Sequence, residues 1–115
     1  MERYIDRIYS QLEKIRPYKV ILFGSRVSED FSDESDIDLI VVTNDEVYPD
    51  NYREHMNIYH KVSDLLTEII MEKSIDLLVY TKPMYKKFIE LNSMFAREIS
   101  QKGKIIYEAN SSGVA

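Results

Sequence analysis

Cysteine is absent from the 115 residues, which excludes disulfides and thiolate metal sites. No apolar run approaches the roughly 20 residues of a membrane-spanning helix. The opening MERYIDRIYSQLEK is charged throughout and lacks the apolar core of a signal peptide. The expectation is a cytoplasmic protein without membrane contact. Histidine is scarce: His55 and His60 are the two in the chain. They stand five apart in a helical stretch and do not share a face as an i, i+4 pair would. They read as surface or hydrogen-bonded helix residues rather than ligands. Positive charge is the minority, with 15 Lys and Arg against 20 Asp and Glu, a net charge of −5 and a pI near 5.0. Such a chain is poorly suited to gripping a nucleic acid backbone unaided.

Apolar residues make up 44% of the chain and charged residues 30%, the balance of a soluble globular protein. The length suits one domain over residues 1–109. Residues 110–115 (NSSGVA) read as a loose tail. With 3 glycines and 3 prolines, each is a strong local signal. Apolar residues at helical spacing (Ile5, Ile8, Tyr9, Leu12, Ile15) predict a helix over 2–16, ended by Pro17. Residues 19–23 (KVILF) form an apolar run closed by Gly24, and read as a buried strand. A second strand is predicted over 36–43 and a third over 74–81. Between them, residues 51–73 carry Tyr52, Met56, Tyr59, Val62, Leu66 and Ile69 along one helical stripe. A further helix opens at Pro83, turns Phe88, Leu91, Phe95 and Ile99 inward, and ends at Gly103 before a short strand at 104–108 (KIIYE). The order α-β-β-α-β-α-β predicts an α/β (α+β) domain, a mixed sheet with helices packed on it. The nine tyrosines read mostly as core or half-buried residues, and the lysines between Lys82 and Lys87 as a solvated helix start.

Three carboxylates stand out. Asp36 and Asp38 occupy positions i and i+2 at the mouth of the second strand and so share a face. Asp76 has a similar setting in SIDLLVY. Buried or crowded like charges repel and need a counter-charge. If the two strands pair, the three acids converge. Hard carboxylate oxygens call for a divalent cation, best Mg²⁺, which also takes water and phosphate oxygens. An EF-hand is excluded, because the glycine of its sharp turn is missing. Upstream, Gly24 allows close backbone approach, and Ser25 offers a hydroxyl at a turn whose N–H groups favour phosphate.

Gly24-Ser25 followed by Ser35-Asp36-Ile37-Asp38-Leu39 resembles the signature G-S-x-A-R-G-x5-S-D-x-D-L of the DNA polymerase β-like nucleotidyltransferase superfamily. The short length is similar to its minimal nucleotidyltransferases, the MNT type. The helix before the first strand, Ser74-Ile75-Asp76-Leu77 and the closing Gly103 to Glu108 fit as well. Where the family has Ala-Arg-Gly this chain has Val27-Ser28-Glu29, with Arg26 the nearest cation. The resemblance implies Mg²⁺-dependent transfer of AMP from ATP to an acceptor hydroxyl. Asp36, Asp38 and Asp76 would be the catalytic metal ligands around two ions, and Gly24, Ser25 and Arg26 would contact the phosphates. It also implies a separate all-helical HEPN toxin as partner, adenylylated on a tyrosine by the antitoxin. A non-catalytic module that neutralises such a ribonuclease by contact is the alternative, favoured by Val27-Ser28-Glu29. Transfer to a small molecule is a third reading, with no domain left to hold the acceptor. The sequence leaves the oligomeric state open.

Overall fold

A computed structural model describes residues 2–23 and 36–108. The described elements run α1 (Glu2–Leu12), a 3₁₀ turn (Glu13–Ile15), β1 (Lys19–Phe23), β2 (Ile37–Val42), α2 (Tyr52–Leu65), α3 (Thr67–Glu72), β3 (Ile75–Tyr80), α4 (Lys82–Leu91), α5 (Met94–Lys102) and β4 (Lys104–Glu108). The strands form one sheet in the order β3-β2-β1-β4. β1 pairs antiparallel with both β2 and β4, whereas β2 and β3 are parallel. Parallel neighbours need a long crossover, which α2 and α3 provide. The expected mixed sheet with packed helices is the fold observed.

The alternation of side chains along the strands separates two cores. Val20, Leu22, Ile37, Leu39, Val41 and Val79 lie on one face with Ile8 and Leu12 of α1 and with Val62, Leu66 and Ile69 from the crossover. Ile21, Ile40 and Val42 lie on the other, with Ile99 of α5, Tyr85 and Phe88 of α4, and Phe23, Leu78 and Tyr80 packed against them. The central strand β2 is therefore apolar on both faces, and burial of each such side chain contributes about 1.5–3 kcal/mol. Its C-terminal end is tied to β3 and α4 through polar groups. Thr43 N–H donates to Tyr80 O at 2.7 Å, Lys82 N–H to Asp45 O at 3.1 Å, and the buried Thr43 hydroxyl to Asp45 Oδ2 at 2.8 Å.

The helices are more divided than the apolar spacing predicts. The single helix expected over 51–73 breaks at Leu66, where φ/ψ is −101°/6°. The Thr67 hydroxyl donates to Ser63 O and Asp64 O at 3.3 and 3.1 Å, competing for carbonyls of the preceding turn. The helix expected from Pro83 to Gly103 breaks at Asn92, which adopts the left-handed conformation (φ 52°), and restarts at Ser93, whose Oγ accepts Ala96 N–H at 3.1 Å. The break swings Leu91 outward. It is 68% exposed rather than inward-facing, and Phe95 is also partly exposed. Tyr52, expected on the buried stripe of α2, is 77% exposed because it sits in the first turn, next to the capping residue Asn51. The first helix ends at Leu12 rather than 16. After the 3₁₀ turn, Arg16 turns left-handed ahead of Pro17. The strands at 19–23 and 104–108 fall where expected, and β2 and β3 are one residue shorter at each end. The expected tail at 110–115 lies outside the described residues.

Gly103 matters for space rather than for an unusual dihedral, since its backbone is extended (φ −68°, ψ 147°). A Cβ there would meet Ile99 O at 2.6 Å and Ile21 Cγ2 at 2.9 Å. Gly103→Ala should cost about 1–3 kcal/mol through overpacking at the α5–β4 turn. The expected reading is a lower urea midpoint with an unchanged slope.

Burial raises the phenol pKa of Tyr80 and, less the effect of the Lys19 ammonium, of Tyr85. A raised folded-state value means that the contribution of the neutral phenol is fully present below its unfolded value of about 10 and is lost as pH rises through the folded value. Stability should therefore fall on going from about pH 9 to about pH 11, and Tyr80→Phe should reduce that fall. Urea unfolding of both proteins at the two pH values measures it. An equal fall in both would show that Tyr80 ionisation plays no part.

Candidate active site

The register of the parallel pair places the acids. Ile37 lies beside Ile75, Asp38 beside Asp76 and Leu39 beside Leu77. Adjacent strands are about 4.8 Å apart, and side chains in register share a face. Asp38 and Asp76 are thus neighbours on the face that α4 and α5 cover farther along, at the N-terminal ends of both strands. Asp38 is half-buried and Asp76 exposed. Asp36 immediately precedes β2 and is exposed. Ile37 N–H donates to Ser74 O at 3.0 Å, which fixes the register at this end.

The structure therefore brings two of the expected carboxylates side by side, with the third at the strand's entrance. Among the described residues, no three His, Cys, Asp or Glu side chains gather into a group that could hold a metal ion. Two ionised carboxylates about 5 Å apart repel by roughly 1 kcal/mol in bulk water and about 3 kcal/mol at an effective dielectric of 20. The donor set is hard oxygen, the kind Mg²⁺ takes. Gly24, Ser25 and Arg26 lie outside the described residues. The last described residue before them, Phe23, is the register partner of Asp38 across the β1–β2 ladder. Asp38 thus stands between Asp76 on one side and Phe23 on the other.

Two features here were not anticipated from the sequence. The Phe23 ring meets Phe95 of α5 edge-on, with centroids 5.6 Å apart, and Phe95 in turn meets Phe88 at 5.7 Å. This aromatic row connects the acid end of the sheet to the α4–α5 layer. The spacing of Phe88 and Phe95 indicated burial but not which strand they would meet. Lys73, two residues before β3, is 7% exposed. A buried lysine at this end of the sheet has no sequence signal, because Glu72-Lys73-Ser74 reads as an ordinary polar helix end.

The remaining polar features lie elsewhere. His55 Nε2 donates to Val79 O at 3.2 Å, so this histidine is engaged with the edge strand, as a hydrogen-bonded helix residue would be. His60 is exposed. A cavity of about 630 Å³ between α1 and the α2–α3 break is lined by residues such as Asp6, Arg7, Asp64 and Glu68. It includes none of the acids at the strand ends. Arg7 beside it holds Glu72 through two hydrogen bonds of 2.8 and 3.1 Å, and that partner raises the guanidinium pKa. No helix among the described residues is long and apolar enough to cross a membrane.

Comparison with known proteins places this geometry in context. A protein of Methanocaldococcus jannaschii named "Putative protein adenylyltransferase MJ0604" is 28% identical over 91 residues, which are 77% of each chain. Among solved structures, a chain from the crystal structure of a mutant toxin–antitoxin MntA-HpeT superposes with a TM-score of 0.51 at 16% identity. The match covers 97% of this chain and 76% of that one, a likeness of fold. The family model described as "Polymerase beta, Nucleotidyltransferase" matches residues 5–112, which include both acid-bearing strands. The chain belongs to the polymerase beta nucleotidyltransferase family.

Proposed function

We propose that this nucleotidyltransferase moves AMP from ATP to a hydroxyl on a partner protein, and that the partner is a HEPN-type helical toxin for which this chain is the antitoxin. The observation that carries the reading is the pairing of Asp38 with Asp76 on one face of a sheet of this family. The name of the Methanocaldococcus jannaschii relative supports a protein as the acceptor. The shared fold with a toxin–antitoxin chain is compatible with the paired partner.

Asp36, Asp38 and Asp76 would hold Mg²⁺, taken up as two ions. Bound metal stabilises negative charge on the entering and leaving oxygens of an in-line displacement. A bound cation would offset the repulsion between the neighbouring carboxylates Asp38 and Asp76. Gly24, Ser25 and Arg26 would orient the triphosphate. Asp76, exposed on the edge strand, would accept the proton of the acceptor hydroxyl as its oxygen bonds to the α-phosphorus and pyrophosphate leaves. The described elements are spent on the sheet and its covering helices, so the hydroxyl must be positioned by the molecule that carries it. Neutralisation by contact alone is the second reading. The replacement of Ala-Arg-Gly by Val27-Ser28-Glu29 favours it, because it removes a cation from the expected phosphate side.

Two outcomes follow. A ligand that binds the native state alone adds RT ln(1 + [L]/Kd), about 2.7 kcal/mol at a hundredfold excess over Kd. Mg²⁺ with ATP should raise the melting temperature of the wild type, and Asp38→Asn should abolish the rise. An equal rise in both would remove Asp38 from the site. Second, labelled ATP should leave the isolated chain nearly unmarked and should add one AMP per partner molecule when the toxin is present, with Asp36→Ala and Asp38→Ala inactive. If those mutants neutralise the toxin as well as wild type does, with no mass added, contact is the mechanism. Rapid transfer to a small molecule by the isolated chain would count against both.

A further inference from the structure

The charge of the chain is divided unequally. Residues 82–104, which span α4, α5 and the start of β4, hold six basic residues and two acidic ones, a net of +4. The rest of the chain, with nine basic and eighteen acidic residues, carries −9. Within this hairpin Lys82 is already paired with Glu46 at 2.8 Å. Lys86, Lys87, Arg97 and Lys102 are exposed, and no ion pair engages them among the described residues. At the tip, where Asn92 and Ser93 reverse the chain, Leu91 is 68% and Met94 83% exposed, with Phe95 partly exposed beside them.

We infer that the α4–α5 hairpin is a docking surface for a protein with an acidic face around an apolar socket, which receives Leu91 and Met94 while its carboxylates meet Lys86, Lys87 and Arg97. An apolar centre with a charged rim is the anatomy of a protein interface, and methionine and arginine are favoured there. Charge complementarity selects an acidic partner, and steers its approach. A nucleic acid fits less well. The most exposed side chains of the tip are aliphatic, the Phe95 ring being engaged by Phe23 and Phe88, and the remaining −9 would repel a polyanion. A second copy could offer its acidic part only through a heterologous contact, which builds rings or filaments, and an adduct to this chain would reveal it. The surface also reaches the acids. Phe95 follows Met94 directly and packs on Phe23, the register partner of Asp38. A protein seated on the tip is therefore delivered to the acid end of the sheet. Its identity with the acceptor rests on the function proposed above, whereas the docking itself does not.

Site-directed photo-crosslinking in the native cell tests this. The photoreactive amino acid p-benzoylphenylalanine replaces Met94, Leu91 or, as control, Met71, which is 82% exposed on α3. The expected result is one protein adduct, the same from positions 91 and 94 and absent from 71, whose protein has an acidic surface. The triple variant Lys86→Glu, Lys87→Glu, Arg97→Glu should lower its yield at least tenfold while leaving the melting temperature unchanged. If that variant fails to fold, raised salt on wild-type lysate should give the same loss. No adduct, an adduct to RNA or to this chain, equal adducts at 71, or a yield indifferent to both charge reversal and salt would overturn the surface. Incubating the adduct with labelled ATP and Mg²⁺ separates the two ideas. A charge-dependent adduct without AMP keeps the docking surface and removes the adenylylation reading.

Discussion

The candidate site in this fold depends on the parallel pairing of β2 with β3. That ladder sets Asp38 beside Asp76, and the period of two along each strand then decides which face they share. The same pairing places Leu39 beside Leu77 and Val41 beside Val79 on the opposite face, which packs against α1 and the crossover helices. The apolar and acidic patterns of the two strands are therefore locked together. Burial of the aliphatic residues holds the carboxylates where their repulsion would not leave them. The cost of the acid pair is met by the core two residues farther along each strand.

The other elements can be understood as supports for this pair. α2 and α3 carry the chain back so that β3 can run parallel to β2. β1 covers the inner side and ends at Phe23, opposite Asp38. α4 and α5 bury the acid-bearing face beyond the acids, through Tyr85, Phe88 and Ile99. Stitching at the far end of β2 and β3 by Thr43, Asp45 and the Thr81 cap keeps that end closed. The acid end remains open to solvent at Asp36 and Asp76.

Much of this was legible in the residues because strands buried on both faces leave an unmistakable apolar run, and an acid inside such a run is an anomaly that asks for a reason. The first three strands follow from that logic, and the meeting of Asp38 with Asp76 follows once the second and third are paired, whereas β4 is a largely exposed edge strand. The helix breaks were not legible by the same means. Val62, Leu66 and Ile69 keep helical spacing straight through the Leu66 break, because the stripe faces one core on both sides of it. At Asn92-Ser93 the stop and start residues were present in the sequence, but the spacing from Phe88 to Ile99 masked them. Lys73 and the contact of Phe95 with Phe23 depend on tertiary placement, which no local pattern encodes. The expectation that Gly24, Ser25 and Arg26 contact phosphate rests on motif spacing, since they lie outside the described residues.

The long crossover between β2 and β3 has a consequence for the order in which the molecule comes into being. Hairpin-type contacts, such as β1 with β2, close early in a folding chain, whereas a parallel pair must wait until the intervening helices have formed and the loop-closure entropy has been overcome. A chain emerging from the ribosome presents Asp36 and Asp38 well before Asp76 exists to join them. The acid pair thus waits for β3, although the β1–β4 ladder closes across a longer stretch still. A partly made chain holds the signature motif but not the neighbouring carboxylate, so the candidate site is incomplete until β3 has paired with β2.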